Sequence, residues 1–127
     1  MQHTLYSLKN QKQFNLVNNS GIKYYSNYFI LVICPVPHQI IPANNNINNC
    51  LYYGIKIGRK YSKKAVIRNK AKRRVRHLLR TLSIDQGQNL AIIIVPRKDF
   101  HITNFLELTI ELKKFWNKNQ KSLKKSP

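Results

Sequence analysis

Between Lys64 and Arg80 the chain reads KAVIRNKAKRRVRHLLR, which sets eight Lys or Arg among seventeen residues. Arginine presents a planar fork of donors that grips phosphate bidentately, and lysine adds point charge. Asn69, placed between Arg68 and Lys70, carries an amide that donates and accepts at once, which suits a phosphate, a 2′-hydroxyl or a base edge. The chemistry on offer is recognition of a phosphate-rich surface.

These residues need a helix to aim them. At about 100° of rotation per residue, Ile67, Ala71, Val75, Leu78, Leu79 and Leu82 gather on one side, with Asn69, Lys72, Arg73, Arg76 and Arg80 opposite. Arg68 and Arg74 flank the apolar stripe, where their stems can lie over a core. Solvated helix faces usually mix signs, because like charges at i, i+4 repel by a few tenths of a kcal/mol. Arg68, Lys72, Arg76 and Arg80 form an uninterrupted ladder of one sign, tolerable where a polyanion neutralises it. A membrane-surface helix would need a bulkier apolar face bearing Trp or Phe.

The whole chain repeats this bias. Lys and Arg number 23 against four Asp and Glu, a net charge of +19 on 127 residues, with an isoelectric point near 10.4. In one small domain this implies a polyanionic partner. Hydrophobic residues make up 43%, enough for a modest core. Cys34 and Cys50 form no metal-ligand spacing and read as buried free thiols. The longest apolar run, Tyr28 to Pro37, is far short of the ~20 residues of a membrane span. An intracellular, cytoplasmic protein without membrane contact is expected.

Around the basic helix, residues 5–19 carry Leu5, Leu8, Phe14 and Val17 at helical spacing, with Gly21 closing the helix. Residues 28–33, YFILVI, form a strand stopped by Pro35 and Pro37. A Pro- and Asn-rich loop fills 35–50. Leu51 to Ile57 alternate as a strand that buries Leu51, Tyr53, Ile55 and Ile57 and exposes Tyr52 and Lys56. Of Tyr24, Tyr25, Tyr28, Tyr52 and Tyr53, Tyr52 is the preferred exposed ring for stacking on a single strand. Leu90 to Val95 is a buried strand, and Asn104 opens an amphipathic helix through Phe105, Leu108, Leu112 and Phe115. Residues 1–117 thus form a single-domain α+β fold, a small sheet packed by helices, and 118–127 a disordered basic tail.

At this point the residues resemble a known family. Gly54 to Lys60, GIKIGRK, followed by Ala65 to Arg73, AVIRNKAKR, and then Arg76, is similar to the strand and "RNR" helix of the bacterial ribonuclease P protein subunit. Weaker similarity extends over residues 5–116. The resemblance implies a left-handed βαβ crossover and a cofactor role beside a catalytic RNA that removes the 5′ leader of precursor tRNA. It implies that Arg68, Asn69, Lys72, Arg73 and Arg76 contact this RNA, at one protein per RNA, and help order magnesium bound mainly by the RNA. Lys70, Arg80, Arg59 and Lys60 extend the same surface. It further implies a leader-binding cleft between the RNR helix and the sheet with Phe14 on its rim, to which the strand adds Tyr52 and Lys56. Departures from the family pattern are Asn18 and Asn27, where many members carry an aromatic and an Arg, and Lys70 as the third triplet residue.

A catalytic site of the protein's own is not expected. Two-metal hydrolysis needs several converging carboxylates, and Asp85, Asp99, Glu107 and Glu111 are scattered. His3, His38, His77 and His101 share no motif that would oppose two imidazoles. The alternative is a structural RNA-binding protein, such as a small ribosomal protein, and an autonomous basic nuclease ranks behind both.

Overall fold

The computed structural model describes residues 4–37, 39–40, 50–82 and 89–124. Five strands form one sheet: β1 (Thr4–Ser7), β2 (Ile22–Tyr25), β3 (Phe29–Pro35), β4 (Cys50–Ile55) and β5 (Asn89–Pro96), in the order β1-β4-β5-β3-β2. β4 is parallel to both β1 and β5, and β3 runs antiparallel to β5 and β2. Helix α1 (Gln11–Ser20) lies on one face, and α2 (Ala65–Arg80) with α3 (Phe105–Lys124) covers the other. α2 links the parallel neighbours β4 and β5 in a βαβ unit.

Helix α1 starts where local chemistry dictates. The Asn10 side chain accepts from the Gln13 N–H at 2.9 Å, and Gln13 Oε1 accepts from the Lys9 N–H at 2.6 Å, a reciprocal cap. It ends at Gly21, whose N–H bonds the Val17 carbonyl at 2.9 Å. Gly21 has an ordinary φ of −87°, so its value lies in close approach. A Cβ there would meet Val32 Cγ1 and stand 2.9 Å from the Val17 carbonyl oxygen.

Each covered strand alternates between two cores. Leu51, Ile92, Ile94, Leu31 and Ile33 pack with Ala71, Val75, Leu78 and Leu79 of α2 and Leu108 and Leu112 of α3. Val32, Cys34, Tyr52, Ala91 and Ile93 pack with Leu8 and Val17. Burial of a Leu- or Val-sized side chain contributes about 1.5–3 kcal/mol, so the stripe of α2 is committed to the sheet and its opposite side faces out.

Several expectations are corrected. Residues 4–7 are a strand, not the start of a helix, because they pair with β4, which arrives some 45 residues later in the chain. β2 was absent from the expected elements; the four residues IKYY pair with β3. The Pro- and Asn-rich loop lies mostly outside the described residues, but Pro35 belongs to β3, and Val36 and Ile40 are buried. The tail expected from residue 118 is helical through Lys124. Asn119 is 2% exposed, and its Oδ1 accepts from the Tyr24 hydroxyl at 3.4 Å, which fixes the helix past Trp116.

Candidate nucleic-acid interface

Helix α2 presents Asn69, Lys70, Arg73 and Arg80 fully outward, while Arg68, Lys72, Arg74 and Arg76 are half-buried along its flanks. Three flank arginines are tethered. Arg76 Nε donates to the Tyr53 hydroxyl at 3.3 Å. Arg74 Nη1 donates to the carbonyls of Phe100, at 2.8 Å, and Thr103, tying α2 to the segment before α3. Arg68 Nη1 reaches back to the Ser62 carbonyl at 2.8 Å and so closes the turn that feeds the helix.

The helix start carries no acid and no side-chain cap. Its first-turn N–H donors therefore sit beside Lys63, Lys64 and Arg68, an arrangement that favours an anion. His77 and Arg80 lie in the last turn, where positive charge suits the helix dipole. Arg59 and Lys60 are exposed in the turn after β4, so they extend the positive surface.

The opposite face of the sheet holds a different constellation. Tyr52, Gly54 and Lys56 point toward the α1 side. Phe14 of α1 leans over Gly54, where a Cβ would come within 2.5 Å of Phe14 Cε1 and 2.6 Å of Cζ. The glycine thus makes the room in which the half-exposed ring lies. Asn18, one turn after Phe14, is also half-exposed.

A cleft of about 440 Å³ opens at the ends of β4 and β5, lined by Lys56, Lys60, Tyr61, Val95 and Lys98 among others. Lys56 N–H bonds the Ile94 carbonyl at 3.0 Å, so the parallel register brings Lys56 and Lys98 to one rim. Tyr61 is held there by His101. Its hydroxyl accepts from the His101 N–H at 2.9 Å and lies 2.7 Å from Nδ1, and burial pushes its pKa up.

Two site expectations fail on geometry. Among the described residues the space between the RNR helix and the sheet is filled by core side chains, and Phe14 lies on the other face. Tyr52 is 6% exposed and stacked on Tyr6 at 5.2 Å between centroids, because α1 covers its face of the strand. Phe14 and Lys56 do share a face, whereas Tyr52 offers no open ring. Sequence reasoning missed Tyr61 and Lys98, whose proximity to Lys56 depends on strand pairing.

Among the described residues no three His, Cys, Asp or Glu side chains converge on a metal-sized site. His77 packs edge-on against Phe105, and Glu107 accepts from the Tyr28 hydroxyl at 3.3 Å. The Glu107 charge is the main cause that pushes the Tyr28 pKa up. Asp85, His3 and His38 lie outside the described residues. None of the described helices is long and apolar enough to cross a membrane.

A mixed sheet covered on both faces, with an acid-free arginine helix on one side and a lysine-rimmed cleft at the ends of β4 and β5, defines a polyanion-binding α+β protein. The family model for ribonuclease P matches residues 3–120. The chain belongs to the ribonuclease P protein family. The ribonuclease P protein component of Rickettsia typhi is 47% identical over 117 residues, covering 89% of this chain and 96% of the relative. That of Rickettsia prowazekii is 45% identical over 123 residues, covering 94% and 98%. The solved RNase P protein from Thermotoga maritima superposes with a TM-score of 0.63 at 26% identity, over 86% of this chain and 93% of that one. The Staphylococcus aureus RNase P protein shares the fold, with a TM-score of 0.63 at 22% identity over 86% and 90%.

Proposed function

We propose that this chain is the non-catalytic protein subunit of a ribonucleoprotein endoribonuclease, ribonuclease P, and acts in the cytoplasm as one copy per catalytic RNA. The outward face of α2, through Arg68, Asn69, Lys70, Lys72, Arg73, Arg76 and Arg80 with Arg59 and Lys60 beside it, holds that RNA. The α1 side of the sheet, with Phe14, Lys56 and Lys98, receives the single-stranded 5′ leader of precursor tRNA. The observation that carries this reading is the placement of α2 on one face of the sheet and of Phe14 over Gly54 on the other, so that one protein can hold two RNA segments at once.

Hydrolysis in this reading is performed by the RNA partner. Magnesium supplies the charge stabilisation and nucleophile activation that RNA-catalysed hydrolysis needs. In this reading the ions are held mainly by the RNA. The protein's share is to neutralise phosphate repulsion with α2 and to hold the leader.

The test compares affinity of the RNA–protein complex for precursor tRNA with a leader and for mature tRNA. The wild type prefers the precursor, and Phe14→Ala and Lys56→Ala reduce that preference without weakening assembly. Equal affinity for both RNAs in the wild-type complex refutes the leader assignment.

A further inference from the structure

On the α3 side of α2 lies a second hollow, about 520 Å³, lined by Lys70, Arg73, Arg74, His77 and Phe105. That volume falls in the range of small-molecule sites. Phe105 is the first residue of α3 and packs partly on the core, leaving the rest of its ring toward the hollow. His77 stands against it edge-on, with centroids 5.7 Å apart and planes at 87°.

The surrounding charge has one sign. Lys70 and Arg73 are exposed, one helical turn apart, and Arg74 is pinned at the inner wall by the Phe100 and Thr103 carbonyls. The first-turn acid of α3, Glu107, lies two residues after Phe105 and so on the far side of the helix, bonded by Tyr28. A hollow with aromatic rings for a floor and cations for a rim has the two elements that capture an unstacked nucleotide: a π surface for the base and donors for its flanking phosphates.

We propose that this hollow binds a single unpaired nucleotide of the RNA held by α2, with its base packed against Phe105 and His77 and its flanking phosphates on Lys70 and Arg73. The proposal rests on the reading of α2 as the face that holds the catalytic RNA and gives that face a position-specific anchor. A phosphate-only face slides along any duplex, whereas an aromatic hollow accepts a base only where the RNA offers one out of its stack.

The experiment measures binding of the full chain to ribonuclease P RNA across a range of salt, for the wild type, His77→Ala, Phe105→Leu and Lys72→Ala, with chemical probing of unpaired nucleotides in each complex. Phe105→Leu keeps apolar packing and removes the ring, and His77 is exposed, so both variants should fold as the wild type does. Loss of one stacked base corresponds to about a tenfold weakening. The expected result is that His77→Ala and Phe105→Leu weaken binding about tenfold with an unchanged salt slope, and that the same one or two unpaired nucleotides lose protection in both. Lys72→Ala, by contrast, lowers the salt slope by about one. Tight wild-type binding with both ring variants within twofold of it overturns the subsite and leaves the α2 reading standing. Failure of the wild type to bind the RNA overturns that reading and the subsite with it.

Discussion

Gly54→Ala offers a test whose sign depends on one neighbour. The new Cβ would lie 2.5 Å from Phe14 Cε1, 2.6 Å from Cζ and 3.0 Å from Leu8 Cδ1. The ring must withdraw by about 0.9 Å to restore an ordinary 3.4 Å contact. Overpacking of this kind costs about 1–3 kcal/mol, and the lower half of that range applies because a half-exposed ring can swing outward. Set against it, replacing a strand glycine by alanine stabilises by about 0.5–1 kcal/mol through reduced chain entropy. Gly54→Ala should therefore destabilise the wild type by about 1 kcal/mol. In a Phe14→Ala background, with the ring gone, the same substitution should stabilise by about 0.5 kcal/mol. Urea denaturation of the four proteins of this cycle reads the coupling directly. Additivity within about 0.3 kcal/mol, the behaviour of independent sites, would show that Phe14 does not rest on Gly54 and would refute the placement of the ring. The withdrawn ring should also blunt the preference for leader-bearing precursor tRNA in Gly54→Ala alone.

Arg73→Ala removes an exposed cation with no tether, so stability should stay within about 0.5 kcal/mol while the slope of log affinity against log salt for the catalytic RNA falls by about one. Arg68→Ala should lose similar affinity and in addition about 0.5–1.5 kcal/mol of stability, because its bond to the Ser62 carbonyl goes with it; denaturation curves of the pair separate the two effects. Burial pushes the Cys34 thiol pKa from 9.0 to about 11. The folded state therefore keeps a proton that the unfolded chain releases, and stability is lost as pH rises from about 9 toward 11. Cys34→Ala should flatten part of that alkaline loss, seen as a smaller fall in melting temperature between pH 9 and 10.5 than in the wild type.

What the sequence made legible was what a local pattern can encode. Helix α2 could be read because its apolar stripe and cationic face repeat at the helical period over sixteen residues. β5 was legible as LAIIIV because it is buried on both faces. β1 and β2 were not, since four-residue strands carry too little pattern and exist by pairing with β4 and β3. Tyr52 looked exposed because it alternates with Leu51 and Tyr53, but alternation separates the faces of a strand without saying whether a helix covers the second one. The basic end of α3 looked too polar to pack; its anchor is a hydrogen bond between Asn119 and Tyr24, 95 residues apart. The lysine-rimmed cleft joins Lys56 to Lys98 through parallel strand register, which no spacing in the chain reports. The RNR motif itself, from Arg68 to Lys70, was fully legible, and the structure adds which of the neighbouring arginines are already engaged inside the protein.

The measurement that tests the central claim most directly is cleavage of a labelled precursor tRNA at physiological magnesium by the protein alone, by a bacterial ribonuclease P RNA alone, and by the two together. The account predicts no cleavage by the protein, weak cleavage by the RNA, and a strongly raised rate in the mixture at the junction between leader and mature tRNA. Cleavage by the protein alone would contradict the assignment of hydrolysis to the RNA. Absence of stimulation in the mixture would contradict the role of a ribonuclease P subunit.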